Sequence, residues 1–376
     1  MSPLPEDGLL LTSLHDIHLS SGARLVKFAG WDMPLQYSGI LAEARTVRST
    51  CGIFDVSHMG RLVLEGADSL PLLEKLLTPQ ISNLKPGQSR YGFLLNDNGG
   101  IIDDILVSNL EGGPEEPPKF LVVCNASTRE VVSSWLNSWI TSFSQVKLSD
   151  TTFDTAMIAL QGPTAASVIA EVFELQTSAL RRFQFVTHKS PTYSGHEPFT
   201  MSISRTGYTG EDGFEIICPS DAGGLIWKSL EAYGVLPCGL GARDALRLEA
   251  GLMLSGVDIN ESTTPLEAQL DRFINLKKSF VGRDTLVLQQ SRGLSRKLVG
   301  FRLLNKGIAR HGYSIHRGTE QIGVVTSGGF SIMLDTSIGL GYVSIEHSEI
   351  GSPLSIDIRG RLVPAEVTET PFYRKI

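Results

Sequence analysis

The last quarter of the chain restricts the fold most. After Arg283, short apolar runs recur at 298–303, 322–326, 338–343 and 354–358, separated by glycine and polar turns. Runs of that length cannot build a helical bundle; they pair into a small β-barrel or sandwich. The preceding stretch reads differently. Helical and strand signals interleave there, without the regular strand–helix alternation of a doubly wound sheet. No fixed-period repeat is present, which excludes solenoids and propellers. With 376 residues, the chain also exceeds what one hydrophobic core ordinarily serves. The expected class is α+β, with a body over residues 1–282 and a β-rich domain over residues 283–376.

Local signals place several elements. Residues 92–95 and 101–106 read as strands joined by Asn96-Asp97-Asn98-Gly99-Gly100, whose residue types tolerate the positive φ of a hairpin turn. The stretch EGGPEEPP, 111–118, is expected to be an exposed loop. A strand over 120–124 should lead to a helix near Ser127, with Ser127 and Glu130 forming a capping box. A strand over 157–160 should precede a helix that has Pro163 at its first position. Another helix should open near Gly239, run to about Ala250 and stop at Gly251.

Composition removes whole classes of function. A net charge of −7 argues against nucleic acid as a partner, because phosphate binding needs a concentrated basic surface. No apolar run approaches the roughly 18 residues of a membrane-spanning helix, so no membrane partner is expected. Cys51, Cys124, Cys218 and Cys238 lie far apart, which fits buried reduced thiols rather than a disulfide framework or a zinc site. The N-terminus resembles neither a signal peptide nor an Arg-rich transit peptide, so a cytoplasmic protein is expected, or a mitochondrial matrix protein whose presequence has been removed. The chain has no Walker phosphate loop, no G-x-S-x-G elbow and no H-E-x-x-H helix. Its eight histidines are scattered, and no metal is expected. What remains is a set of acidic and basic residues beside glycines, as in a pocket for a polar small molecule.

Seven stretches taken in order carry a resemblance. They are FAGWDMP from Phe28, FDVSHMG from Phe54, NGGIIDD from Asn98, RTGYTGEDGFE from Arg205, GLGARDALRLE from Gly239, VTSGGF from Val325 and PFYR from Pro371. In this order and spacing the chain resembles the aminomethyltransferases, or T-proteins, of the glycine cleavage system, over nearly its whole length. The resemblance implies a three-domain cloverleaf around a central folate site, with a C-terminal small β-barrel. It implies tetrahydrofolate as co-substrate and a lipoylated H-protein as partner. The reaction implied moves the methylene unit of the aminomethyl group on the lipoyl arm to tetrahydrofolate. Its products are 5,10-methylenetetrahydrofolate, ammonia and dihydrolipoyl H-protein.

That chemistry needs a fixed carboxylate near the reacting nitrogens, to orient them, stabilise positive charge and help move a proton. Asp103 and Asp104 are neighbours in a strand and point to opposite faces, so only one can serve; alternation alone does not choose. The resemblance selects Asp104. It also implies that Glu215, on the apolar strand after a Gly-rich turn, accepts paired donors from the pterin edge. Arg243, at the opening of its helix, is implied to bind folate, for which a planar guanidinium suits a carboxylate or ring edge. Tyr91, Asn125, Tyr208 and Met59 match pocket positions, and Arg374 matches an arginine near the lipoyl entrance. A structural role stands beside each of these, and His58 reads as structural. One departure is clear. After Phe330 the family usually continues with Ser-Pro, a leucine and a lysine, whereas this chain has Ser331-Ile332-Met333-Leu334-Asp335-Thr336.

Two alternatives remain. A tetrahydrofolate-dependent demethylase of a small methylated substrate would share this fold. A folate-binding assembly factor for iron–sulfur proteins would carry Lys-Gly-Cys-x-x-Gly-Gln-Glu where this chain has RTGYTGED; the cysteine and glutamine are missing.

Overall fold

The strand runs beyond Arg283 close on themselves. In the computed structural model, which describes residues 8–110, 116–193 and 196–375, they form a six-stranded barrel. Its strands follow the order Arg296–Leu303, Thr336–Ser344, Glu320–Ser331, Ser314–Arg317, Pro353–Ile358 and Arg361–Thr368, closing back on the first. Alternate residues fill its interior, among them Phe301, Ile315, Val325, Ile356 and Val363. Closure leaves the small sheet no free edge. The sequence reading missed the strands Ser314–Arg317 and Arg361–Thr368, and also a helix, Arg283–Arg292, ahead of the barrel. That helix buries only Leu286, so it leaves no apolar stripe to read.

The molecule divides into two compact units. The first contains residues up to Leu73, Ile81–Tyr91 and Ile105–Asp244; the second contains Glu74–Gln80, Gly92–Asp104 and Ala245–Ile376. In the first, a six-stranded sheet runs in the order Phe185–Lys189, Thr200–Ser204, Gly213–Pro219, Thr155–Gln161, Gly52–Asp55 and Leu236–Pro237. All its pairings are antiparallel except the last. Phe214 and Ile216 alternate along their strand and pair in register with Leu160 and Ile158. These residues form one buried core with Ile169, Phe173, Ile226 and Trp227, from the helices Ala165–Phe173 and Gly223–Ala232. Glu215 lies between Phe214 and Ile216, so period two turns it to the other face of the sheet.

The hairpin forms as expected, with strands Gln88–Leu95 and Ile101–Asn109. Its turn is organised by Asn96, whose Oδ1 accepts the N–H groups of Asn98 and Gly100 at 3.0 and 2.9 Å. The helix near Ser127 begins one residue later than predicted, at Arg129, with Thr128 at the cap position and no side-chain cap bond. Glu130 is then one position too early to reach back, so the capping box does not form. Pro163 likewise precedes its helix, Ala165–Phe173, and sits in the turn before it. The helix Leu240–Glu249 ends where Gly251 takes a φ of +64°.

The atypical stretch after Phe330 is held by a buried carboxylate. Glu249 accepts from the Ser331 hydroxyl at 2.7 Å and from the Met333 N–H at 3.1 Å. The four cysteines are buried and unpaired with one another. Among the described residues, no helix is long and apolar enough to cross a membrane. The loop expected at 111–118 lies largely outside the described residues.

Candidate active site

In the second unit, the structure separates the two aspartates that alternation left open. Asp103 is fully buried, and its Oδ1 accepts the Ser255 hydroxyl at 2.9 Å. Asp104 is only half-buried. A carboxylate with no exposure must be hydrogen-bonded to be tolerated, and Asp103 meets that demand. Arg374 belongs to the same unit. It is exposed and pairs with Glu369 at 3.2 Å, while the N–H of the preceding Tyr373 donates to the Glu249 carbonyl at 2.8 Å. A cavity of about 400 Å³ in this unit is lined by Asn260, Arg296, His311, Val324 and Tyr342 among others; it includes none of the candidate site residues.

The first unit holds the cationic side of the candidate set. The Arg243 guanidinium stacks over the Tyr208 ring, 4.7 Å from its centroid. Burial lowers the pKa of Arg243, and the charge of Glu215 opposes that shift first, with Tyr208 second. Glu215 in turn accepts a short hydrogen bond from the Thr206 hydroxyl. Arg243, Tyr208 and Glu215 therefore form one group. Arg243 Nη1 is buried yet donates to no partner among the described residues. A buried donor left unmet costs on the order of 1–3 kcal/mol, more when it is charged.

Met59 lies in the turn between the strands Gly52–Asp55 and Gly60–Glu65 and is half-buried. That turn is wrapped around Arg61, which sequence reasoning missed. Its Nη1 donates to the Met59 carbonyl at 2.6 Å, its Nη2 to the Ser57 carbonyl at 3.0 Å and its Nε to the Thr155 hydroxyl at 2.7 Å. Arg61 is completely buried, and burial pulls its pKa down to about 10. At the start of the same turn, Asp55 accepts from the Ser57 N–H at 2.8 Å, Thr12 at 2.6 Å and His18 at 2.9 Å. The Asp55 carboxyl falls to about 2 although burial, the largest influence, pushes it up; the bond to His18 leads the opposing effects. Asp55 stood in a quoted motif, but nothing in the sequence distinguished it as an anchor.

His58 is buried against the edge of Phe28, at 5.6 Å between ring centroids, and its Nδ1 has no partner among the described residues. Burial, assisted by the charges of Arg243 and Arg61, holds its pKa down near 3, so the imidazole is neutral. Tyr91 is half-buried on the strand Gln88–Leu95. Asn125 is half-buried and follows the strand Lys119–Cys124, and its carbonyl accepts the Thr128 hydroxyl at 3.2 Å. Asn125 therefore shapes the turn before the next helix, whatever its amide does.

Comparison with known proteins identifies the family of the chain. The model of the GCVT N-terminal domain matches residues 14–278, and that of the glycine cleavage T-protein C-terminal barrel domain matches residues 296–374. An aminomethyltransferase of Thermosynechococcus vestitus is 43% identical over 370 residues, covering 98% of this chain and 97% of that protein. An aminomethyltransferase of Listeria monocytogenes is 39% identical over 369 residues, covering 98% and 99%. The crystal structure of the glycine cleavage system aminomethyltransferase T from Bartonella henselae superimposes with a TM-score of 0.88 at 34% identity, covering 97% of this chain and 98% of that one. The resemblance read from seven short motifs thus extends across both halves of the molecule, and these relatives favour aminomethyl transfer over demethylation. The chain belongs to the glycine cleavage T-protein family and is an aminomethyltransferase of that system.

Proposed function

We propose that the protein takes the aminomethyl group from the lipoyl arm of an H-protein and passes its methylene unit to tetrahydrofolate. The products would be 5,10-methylenetetrahydrofolate, ammonia and the dihydrolipoyl arm. The observation that carries this reading is the buried, unmet Nη1 donor of Arg243, beside Glu215 and over Tyr208. A cation and a carboxylate side by side suit a ligand with both acceptor and donor edges, which a pterin has. A guanidinium with a spare donor gains a charge-assisted hydrogen bond when an acceptor arrives.

Tetrahydrofolate supplies the nitrogen that receives the carbon. The protein supplies orientation and charge. Glu215 accepts the ring N–H and amine donors, Arg243 donates to an acceptor, and Tyr208 offers a stacking face. Asp104 stabilises positive charge at the reacting carbon and nitrogen and holds a proton as ammonia leaves. Tyr91, Asn125 and Met59 are proposed as lining residues, and Arg374 as a contact for the incoming lipoyl arm. A division at 282/283 into body and barrel is proposed as well; the two family matches end and begin on either side of it. A cytoplasmic location is proposed, supported by four widely spaced, buried cysteines not joined in disulfides, of which Cys218 is pushed up to about 12 by burial.

Ammonia release from aminomethylated H-protein, with and without tetrahydrofolate, tests the reading in wild type and Asp104→Asn. Folate-dependent release is expected in the wild type, with a loss on the order of 10²-fold in the variant. Release by an equally active variant would remove Asp104 from the chemistry and leave the transferase intact.

A further inference from the structure

One remote segment holds the strand that carries Asp104. At the turn, Asn96 Nδ2 donates to the Glu261 carbonyl at 3.1 Å, and Gly100 approaches so closely that a Cβ there would sit 1.8 Å from that oxygen. One residue on, the Ile101 N–H donates to the carbonyls of Asn260 and Thr263 at 3.1 and 3.0 Å. Two residues further, the buried Asp103 carboxylate takes the Ser255 hydroxyl at 2.9 Å.

The loop bearing Ser255 is itself fixed. Asp258 Oδ2 accepts the Leu254 N–H at 2.8 Å and the Arg247 guanidinium at 2.6 Å. The contacts at Glu261, Asn260 and Thr263 already anchor the hairpin, through the Asn96 side chain and the Ile101 N–H. The contact at Asp103 is of another kind, because it places a charged group and a hydroxyl where an apolar pair would bury at lower cost. A hydrogen bond to that carboxylate restrains the rotation of the strand at residue 103. Successive side chains diverge to opposite faces, so that rotation also fixes the direction of residue 104.

We propose that Ser255, acting through Asp103, is a positioning residue for Asp104. The proposal rests on the reading of Asp104 as the reactive carboxylate. Misplacing a reacting group by about 1 Å can cost up to about 10²-fold in rate, and loss of one hydrogen bond shifts it by less.

The test uses the full-length protein with aminomethylated H-protein and compares Ser255→Ala, Ser255→Thr and Ser255→Ala combined with Asp104→Asn. Ser255→Ala is expected to lower kcat for folate-dependent ammonia release about 10-fold, with KM for tetrahydrofolate within about 2-fold of wild type. Ser255→Thr, which keeps the hydroxyl, should restore most of kcat. In the Asp104→Asn background, Ser255→Ala should cost nothing further, because it has no carboxylate left to position. If Ser255→Ala fails to fold, Ser255→Cys, with a weak S–H donor, takes its place. Wild-type kcat in Ser255→Ala beside a crippled Asp104→Asn would overturn the positioning role and leave Asp104 standing. Fully additive losses would overturn it too. An active Asp104→Asn would overturn the Asp104 reading itself, and this proposal with it.

Discussion

Arg243 and Arg247 stand one turn apart on the helix Leu240–Glu249, yet their surroundings are opposite. Arg247, in the second unit, is buried with its donors spoken for. Its Nη1 meets Asp258 at 2.6 Å and the Leu252 carbonyl at 3.1 Å, and its Nη2 meets the Ser327 hydroxyl at 2.8 Å. Arg243, in the first unit, stacks on Tyr208 and keeps a buried Nη1 that donates to no group among the described residues. A buried cation with complete partners belongs to the architecture. One left incomplete costs stability, and the proposed folate ligand would offset that cost by completing it.

Breaking the complete arginine should have the largest effect. Arg247→Met leaves Asp258 buried without its cation, and unfolding in denaturant is expected to show a loss of about 3–5 kcal/mol. A loss below about 1 kcal/mol would show that the network is not structural. Arg243→Met should do the reverse. Stability is expected to stay within about 1 kcal/mol of wild type, while KM for tetrahydrofolate rises on the order of 30-fold from a lost charge-assisted bond. A pure stability loss with unchanged KM would make both arginines architectural.

His58 sharpens the contrast through pH. It is buried and neutral, with a folded pKa near 3 against an ordinary value of 6.5. As pH falls below 6.5, the unfolded chain takes up a proton that the folded chain refuses, so stability drops toward pH 3. Between pH 6.5 and 5 the expected loss is about 1.5 kcal/mol. Denaturant midpoints across this range should flatten in His58→Gln, whatever its absolute stability; an unchanged slope would assign the acid loss to other groups. Asp55, held near 2, acts in the same direction but only at lower pH, below its ordinary 3.8. The smallest effect is expected at Glu249. Glu249→Gln keeps an acceptor for Ser331 and Met333, so about 1 kcal/mol of stability should be lost and catalysis left near wild type.

Much of this molecule was legible from local pattern. Strand runs after Arg283, the Asn-Gly turn, the helix stopped by Gly251 and the ordered motifs each depend on neighbours within a few residues, and each appears in the structure. The failures were also local in origin. The capping box was misplaced by a single residue, which is enough to deny Glu130 its target. The helix Arg283–Arg292 buries one side chain and so carries no periodicity to detect.

What the sequence determined by itself was relative orientation: Asp103 opposite Asp104, and Glu215 opposite Phe214 and Ile216, because a strand repeats every two residues. Which of the two faces is buried depended on the assembled fold. Asp103 is buried against Ser255, 152 residues away in the chain, and Arg61 organises its turn through Thr155, 94 residues away. No pattern within a window of one element encodes such a partner. The burial of a charge is settled by whatever distant group arrives to satisfy it, and that is a property of the assembled fold.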